Sequence, residues 1–214
     1  MVTPGLSALF KAQMHEELEA KMVAAAQSGD LAAFNQLVTL HEQRVYNLSY
    51  RMLNEAEAAA DATQDAFFQA YRALNQFRGG SFKSWLLRIA SNICYDRLRA
   101  RTRRPSTSLE ALVEEAERVG GSDLALLEDD KDDPVDYATR RELARELAQA
   151  IQSLPEDQRI AVILSDVQGL SYEEIVDITQ TSLGTVKSRI SRGRLKVREY
   201  LQKKRELLPE DLRS

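Results

Sequence analysis

A single cysteine, Cys94, occurs in the 214 residues, which excludes a disulfide framework and any zinc cluster built on cysteines. It lies in a helical pattern between Ile93 and Tyr95, the setting of a packed thiol and not of a nucleophile. Histidine is almost as scarce, with only His15 and His41, and His41 falls on an apolar face. No Ser/His/Asp or Cys/His set is recognisable, so nucleophilic catalysis of that type has no candidate residues. No glycine-rich loop follows a strand pattern. Nine glycines and five prolines are too few for a sandwich or a disordered chain, and 43% hydrophobic residues suffice for real cores. No apolar run approaches the roughly 20 residues of a membrane span. The start, MVTPGLSALFKAQ, has no basic segment ahead of an apolar core, so no signal peptide is expected there. These absences predict a non-enzymatic cytoplasmic protein with no cofactor, no metal, no small-molecule substrate and no membrane insertion.

Sustained period-two alternation is also missing, so the expected fold is all-α, in two small helical domains. A helical pattern covers residues 16–27 and closes at Gly29. Asp30 caps a longer one with Phe34, Leu37, His41, Val45, Leu48 and Met52 on one face. A third is expected from Asn54 to Leu74, and a turn at 77–81, FRGGS, separates it from a fourth over 82–103. Residues 105–134 are acidic, poor in aromatics and split by Gly120 and Gly121, the pattern of a linker with at most a weak helix. A second domain runs from about Asp136, with one helix to Gln152 and another capped by Ser153, where Glu156 completes an S-x-x-E box.

The net charge of −4 conceals three blocks. Residues 183–205 carry nine Lys/Arg against Glu199 alone, and residues 82–104 carry seven against Asp96 alone. Between them, residues 110–136 hold eleven acids against Arg118 and Lys131. Two segregated basic faces point to two contacts with nucleic acid, because phosphate neutralisation is the main source of its affinity.

Residues 169–194, GLSYEEIVDITQTSLGTVKSRISRGR, read as a helix-turn-helix. Ser171 and Glu174 form a capping box, Ile175 and Ile178 face inward, and Ser182 caps a second helix. On that second helix Leu183, Val186, Ile190, Val197 and Leu201 make an apolar stripe at about 100° per residue. Thr185, Lys187, Ser188, Ser191 and Arg192 flank or oppose it, offering hydroxyls for phosphates and long donors for base edges in a major groove. Gly184 lets the backbone approach a phosphate at a positive helix terminus. The bland alternative is a helical hairpin with a solvated basic face.

With these blocks in place the chain resembles the sigma factors of bacterial RNA polymerase, of the small extracytoplasmic-function type that keeps only the second and fourth conserved regions. DATQDAFFQAYRALNQFRGGSFKSWLLRIASNICYDRLR is similar to region two, and SLPEDQRIAVILSDVQGLSYEEIVDITQTSLGTVKSRISRGR to region four. The implied organisation is an N-terminal extension (1–15), a region-two domain (16–104), an acidic linker (105–135), a region-four domain (136–205) and a tail (206–214). The resemblance implies that Asp61, Gln64, Asp65 and Phe68 dock on core polymerase. Spacing alone leaves the first three an ordinary solvated patch at i, i+3 and i+4. Ala58 and Ala60 depart from the family's acidic pattern. The resemblance assigns Asn75, Arg78, Ser81, Lys83, Arg88, Asn92, Asp96 and Arg99 to the melted minus-ten element. Asn92 is favoured for a base edge because an amide both donates and accepts. Trp85 belongs to the core with Phe82 and Ile89. Primary sigma factors place an aromatic pair where this chain has Arg88 and Ile89, which implies weaker melting and stricter promoter choice. Thr185, Lys187, Ser188, Ser191 and Arg192 then meet the minus-thirty-five element.

The implied partners are core RNA polymerase, promoter DNA and an anti-sigma factor, in a stress or envelope response. The acidic linker is expected to leave both the docking face and the DNA-reading faces open in the unbound chain, and in the family such a linker threads the polymerase cleft. The competing reading is an autonomous helix-turn-helix regulator with an effector-binding N-terminal domain. A purely helical interaction protein leaves the basic last helix unexplained.

Overall fold

The structure is a computed structural model that describes residues 4–103 and 134–204. The expectations for the acidic segment 105–133 and for the tail 206–214 lie outside the described residues. Eight α-helices are described: α1 (Pro4–Gln27), α2 (Leu31–Leu53), α3 (Ala56–Ala73), α4 (Phe82–Arg103), α5 (Pro134–Gln152), α6 (Glu156–Val162), α7 (Tyr172–Thr179) and α8 (Leu183–Lys203). A 3₁₀ turn (Leu74–Gln76) follows α3 and a π turn (Ile163–Val167) follows α6, and no strand occurs among the described residues. The fold is all-α.

Helix α1 begins at Pro4, twelve residues before the pattern expected at 16. Proline suits a first helical position, where no N–H is needed, and neither glycine nor proline interrupts residues 6–28. The helix closes in a Schellman arrangement: Asp30 N–H reaches Ala25 O (3.1 Å) and Gly29 N–H reaches Ala26 O (3.0 Å), with Gly29 at φ 97°. Asp30 then starts α2, its carboxylate accepting from the N–H groups of Ala32 and Ala33.

The first half packs through a face of α2 read correctly from its period. Leu37, Val45, Leu48 and Met52 are wholly buried, and Phe34 and His41 nearly so. Each large apolar side chain contributes about 1.5–3 kcal/mol by leaving water. Helix α3 meets this face with Ala59, Ala62, Ala66 and Ala70, whose small side chains permit close approach. Phe82, Leu86, Leu87, Ala90, Ile93 and Cys94 of α4 complete the core. Cys94 is fully buried, and desolvation pushes its thiol up to about 11, so it is a packed thiol as expected. His41 is also buried, with its Nε2 2.6 Å from the Glu19 carboxylate and its ring 5.6 Å from that of Phe82.

Two further helix starts differ from expectation. Asn54 does not open α3: it caps the end of α2 in the left-handed region (φ 58°), and Glu55 precedes the first turn of α3. Asparagine tolerates that conformation better than most residues. The second capping box is not formed either. Pro155 occupies the N-cap of α6, which moves Glu156 to the first helical position, and the Ser153 hydroxyl donates back to Ala150 O (2.7 Å).

The two halves share one buried apolar cluster, and polar bonds join them. The last turn of α2 leaves carbonyls that its own helix cannot satisfy. Asn54 N–H takes Tyr50 O, Gln152 Nε2 donates to Arg51 O (2.7 Å), and Arg159 Nη1 donates to Met52 O (2.9 Å). Arg159 Nη2 also reaches Gln152 O (2.7 Å) and Leu154 O (3.1 Å). Helix α4 lies against α7, where Ser84 Oγ donates to the Glu174 carboxylate (2.6 Å). This contact leaves Lys83 and Ser84 half-buried, while Arg88, Asn92, Asp96 and Arg99 of α4 are exposed.

Within the second half, α8 crosses α6 at Gly193, where a Cβ would lie 2.6 Å from Val162 Cγ2. Gly193→Ala should therefore destabilise the chain by about 1–3 kcal/mol, although alanine is the better helix former. Adding Val162→Ala, which removes the clashing methyl, should recover part of that loss. Denaturant midpoints of the wild type and the two variants measure this.

Candidate functional site

Three surfaces collect the candidate residues. The first is the helix-turn-helix. Ser171 Oγ accepts from Glu174 N–H (3.2 Å) while the Glu174 carboxylate accepts from Ser171 N–H (2.9 Å), so the expected capping box is complete. Gln180 ends α7 in the left-handed region (φ 52°), and Ser182 opens α8 by accepting from Thr185 N–H (3.1 Å). Ile175, Ile178, Val186 and Ile190 are buried between the two helices, which fixes the roll of α8. Lys187, Ser191 and Arg192 are consequently exposed, with Thr185 and Ser188 half-buried beside them. The Thr185 hydroxyl pairs with Ser182 Oγ (2.8 Å) and the Ser188 hydroxyl donates to Thr185 O (2.9 Å). Leu183 departs from the expected stripe: it is 38% exposed, because the first turn of α8 projects past the packed helices.

The basic block of α8 divides by function. Arg189 Nε donates to Asp157 (3.0 Å), Arg194 Nε to Asp166 (3.0 Å), and Lys204 lies 3.4 Å from the buried Glu146. Those three cations hold α8 to the rest of its half. Lys187 and Arg192 form no ion pair among the described residues and remain available to a polyanion.

The second surface comprises the 77–81 turn and α4. Asn75, Arg78 and Ser81 are exposed around the turn, and Arg88, Asn92, Asp96 and Arg99 are exposed along one side of α4. Ser81 Oγ accepts from Ser84 N–H (3.1 Å), which starts α4. Phe77, Phe82 and Trp85 pack ring against ring with centroids 5.3–5.8 Å apart, so Trp85 belongs to the core, as expected. Lys83 is half-buried and lines a hollow with Ser81 and the Glu174 carboxylate. Asn92, Asp96 and Arg99 form one wall of a groove of about 940 Å³ whose other wall includes Asp157, Gln180, Thr181 and Arg189. Tyr95 sits at its base, and burial, with lesser contributions from surrounding charges, pushes its phenol up to about 12. The groove brings these α4 residues face to face with the helix-turn-helix.

That third surface lies on α3. Asp61, Gln64, Asp65 and Phe68 are all exposed on one face, with Phe68 60% exposed and the Arg72 guanidinium 5.6 Å from its ring centre. Arg97 of α4 reaches across to Asp65 (2.6 Å) and to Asp61 (3.8 Å). The sequence reading missed this bridge because the partners are 32 residues apart in the chain. It missed Arg159 and Gly193 for the same reason. A mid-helix glycine among good helix formers was the one local signal of close packing at Gly193.

Residues 37–104 match the family described as Sigma-70 region 2, and residues 144–197 match the one described as Sigma-70, region 4. The chain is 42% identical over 188 residues to the RNA polymerase sigma-H factor of Pseudomonas aeruginosa, covering 87% of this chain and 95% of that one. It is 41% identical over 184 residues to the ECF RNA polymerase sigma-E factor of Escherichia coli K12, covering 85% and 93%. Among solved structures, it is similar to the sigma factor RpoE of Bartonella quintana in complex with the anti-sigma factor NepR. That likeness has a TM-score of 0.60 and 25% identity, covering 79% of this chain and 96% of the other. Its fold is also that of CnrH, solved in complex with the cytosolic domain of CnrY (TM-score 0.61, 24% identity, 86% and 97% covered).

The Glu174 carboxylate links the capping box to α4 and titrates accordingly. Burial raises its pKa, but the Ser84 hydroxyl, the Ser171 N–H and nearby Lys83 together outweigh burial and hold it below the ordinary glutamate value. A depressed carboxylate contributes stability that is fully present above the unfolded value, about 4.3, and is lost as pH falls through the folded value. Glu174→Gln should therefore be less stable than the wild type near neutrality, with the gap closing as the solution is acidified below about pH 4. Thermal melts of both proteins across that range measure it, and a gap independent of pH would show that the carboxylate's charge is irrelevant there.

Proposed function

The chain belongs to the extracytoplasmic-function sigma factors of bacterial RNA polymerase, and on that premise we propose which of its surfaces does each part of the work. It is an alternative sigma factor: not an enzyme by itself, but the cytoplasmic subunit that binds core polymerase and directs promoter recognition and initiation. Residues 16–104 form the unit that docks and reads the minus-ten element, residues 136–205 the unit that reads the minus-thirty-five element, and the acidic segment 105–135 joins them. The observation that carries this division is the presence of three chemically distinct exposed faces: an acid–glutamine face on α3, a cationic and amide face on α4, and an unpaired cationic face on α8. An autonomous regulator has no use for the first.

Core polymerase meets Asp61, Gln64, Asp65 and Phe68, where exposed carboxylates suit basic partner residues and an exposed aromatic supplies apolar area. The minus-ten strand meets Asn75, Arg78, Ser81, Arg88, Asn92, Asp96 and Arg99. Lys83 serves this face indirectly, through its place beside Glu174. The minus-thirty-five duplex meets Lys187, Ser191 and Arg192 at the base edges, with Thr185 and Ser188 at the phosphate side. The groove between α4 and the helix-turn-helix holds Asn92, Asp96 and Arg99 in one wall, and the chain opens there when the minus-ten strand engages them. An anti-sigma factor controls that opening, in keeping with the anti-sigma complexes of the structural relatives, and serves a stress or envelope response.

Run-off transcription on a promoter library tests the assignment. Core polymerase with this chain should initiate from a defined subset. Charge reversal at Asp61 and Asp65 should abolish association with core polymerase and leave duplex binding by α8 intact. Arg192→Ala should assemble normally but lose about 1–3 kcal/mol of upstream-element binding and relax base preference there. Equal loss on specific and scrambled sites would reduce Arg192 to a phosphate contact, and assembly at wild-type levels by the reversed variant would move docking elsewhere.

A further inference from the structure

The turn that carries Arg78 and Ser81 is short of bonds of its own. Gly79 and Gly80 both occupy the left-handed region (φ 101° and 86°), so the backbone at its apex is poorly constrained by sterics. Its downstream end is fixed, because Ser81 starts α4 through its hydroxyl and through its carbonyl, which accepts from Trp85 N–H (3.1 Å). Its upstream end is fixed from outside. Gln27, the last residue of α1, directs its amide into the first half's interior edge. There Nε2 donates to Leu74 O (2.9 Å) and to Phe77 O (3.0 Å), the carbonyls of the first residue of the 3₁₀ turn and of the residue that follows it. Both amide hydrogens are used, on acceptors 47 and 50 residues away. Gln27 is itself held in place, since the Schellman closure at Gly29 and the Asp30 cap fix the end of α1 immediately beyond it.

We propose that Gln27 is a positioning residue for minus-ten recognition: it touches no DNA, but its amide sets the stem of the 77–81 turn and so the placement of Asn75, Arg78 and Ser81. The chemistry explains why glutamine serves. Leu74 O already accepts from Phe77 N–H (3.1 Å), so the amide gives Leu74 O a second donor and Phe77 O one, both from the end of one side chain of that length. A carboxylate there would face the two carbonyl oxygens with no proton to offer, and an aliphatic chain would leave both carbonyls without this partner. This inference rests on assigning the turn and α4 to the minus-ten strand.

The test uses holoenzyme assembled from core polymerase and the full chain. A randomised single-stranded DNA pool is selected on the wild-type holoenzyme, and the enriched sequence is compared with its scrambled counterpart for each variant. Gln27→Leu and Gln27→Glu should each lose at least tenfold of that discrimination while keeping wild-type assembly with core and wild-type binding of the upstream duplex. Gln27→Lys, whose ammonium can donate to both carbonyls, should retain most of it. The two loss variants differ in polarity and size, so one still reports if the other fails to fold. Full discrimination by a folded Gln27→Leu or Gln27→Glu chain overturns the proposal and leaves Gln27 a strut for stability alone. If the wild-type holoenzyme itself shows no single-strand preference, the minus-ten reading fails and the proposal falls with it.

Discussion

The guanidinium of Arg159 joins the carbonyl ends of helices from opposite halves of the chain, and the relation of the two halves depends on it. Met52 O belongs to the last turn of α2, Gln152 O to the last turn of α5, and Leu154 O to the turn that leads into α6. Helix ends leave carbonyls that must find donors or water. A delocalised cation with donors in a planar fork suits several carbonyls at once. Burial lowers the proton affinity of Arg159, with Glu156 opposing it, but an arginine stays charged. Gln152 supplies the neighbouring carbonyl, Arg51 O, from the same corner, and Ser84 with Glu174 closes the far side of the interface. The apolar cluster that runs through both halves gives this interface its area, and these bonds give it a register.

Charge in this protein is divided between holding and reaching. Arg189 and Arg194 are spent on Asp157 and Asp166 within the second half, and Arg97 on the acids of α3. Lys187, Arg192 and Arg88 stand exposed. The division gives the Arg97 bridge a consequence: the face assigned to polymerase and the helix assigned to the minus-ten strand are tied by one side chain. Arg97 is itself a residue of α4, so the bridge ties α4 to α3 through a surface ion pair, which is weak enough to be exchanged without a large cost.

Much of this was legible in the sequence where the signal was local. The Ser171 and Glu174 box, the Ser182 cap and the period of α2 each depend on residues a few positions apart, and each stands as read. Local reasoning failed where a nearby residue changed the register. Pro155 displaced the cap expected at Ser153, and Asn54 took the left-handed cap of the preceding helix. It was blind to pairs made by folding. Nothing in the sequence distinguishes Arg189 and Arg194 from Lys187 and Arg192, because their partners lie 32 and 28 residues upstream. Nor does it show that Gln27 reaches Leu74 and Phe77. The α8 face was legible from its own helix-turn-helix pattern, the α3 and α4 residues came from the family resemblance, and the residues that position all three were found only by geometry.

A closed arrangement held by Arg159 is the central claim, and a distance between the halves tests it most directly. Gln36 on α2 and Lys196 on α8 are exposed, and Cys94 is buried, so cysteines introduced at those two positions can carry paired spin labels without competition from the native thiol. The unbound chain should give one narrow distribution of distances. Arg159→Met, which keeps the stem and removes every donor, should broaden it and extend it to longer distances while each half stays folded. An unchanged narrow distribution in Arg159→Met, or a broad one in the wild-type chain, would contradict the account.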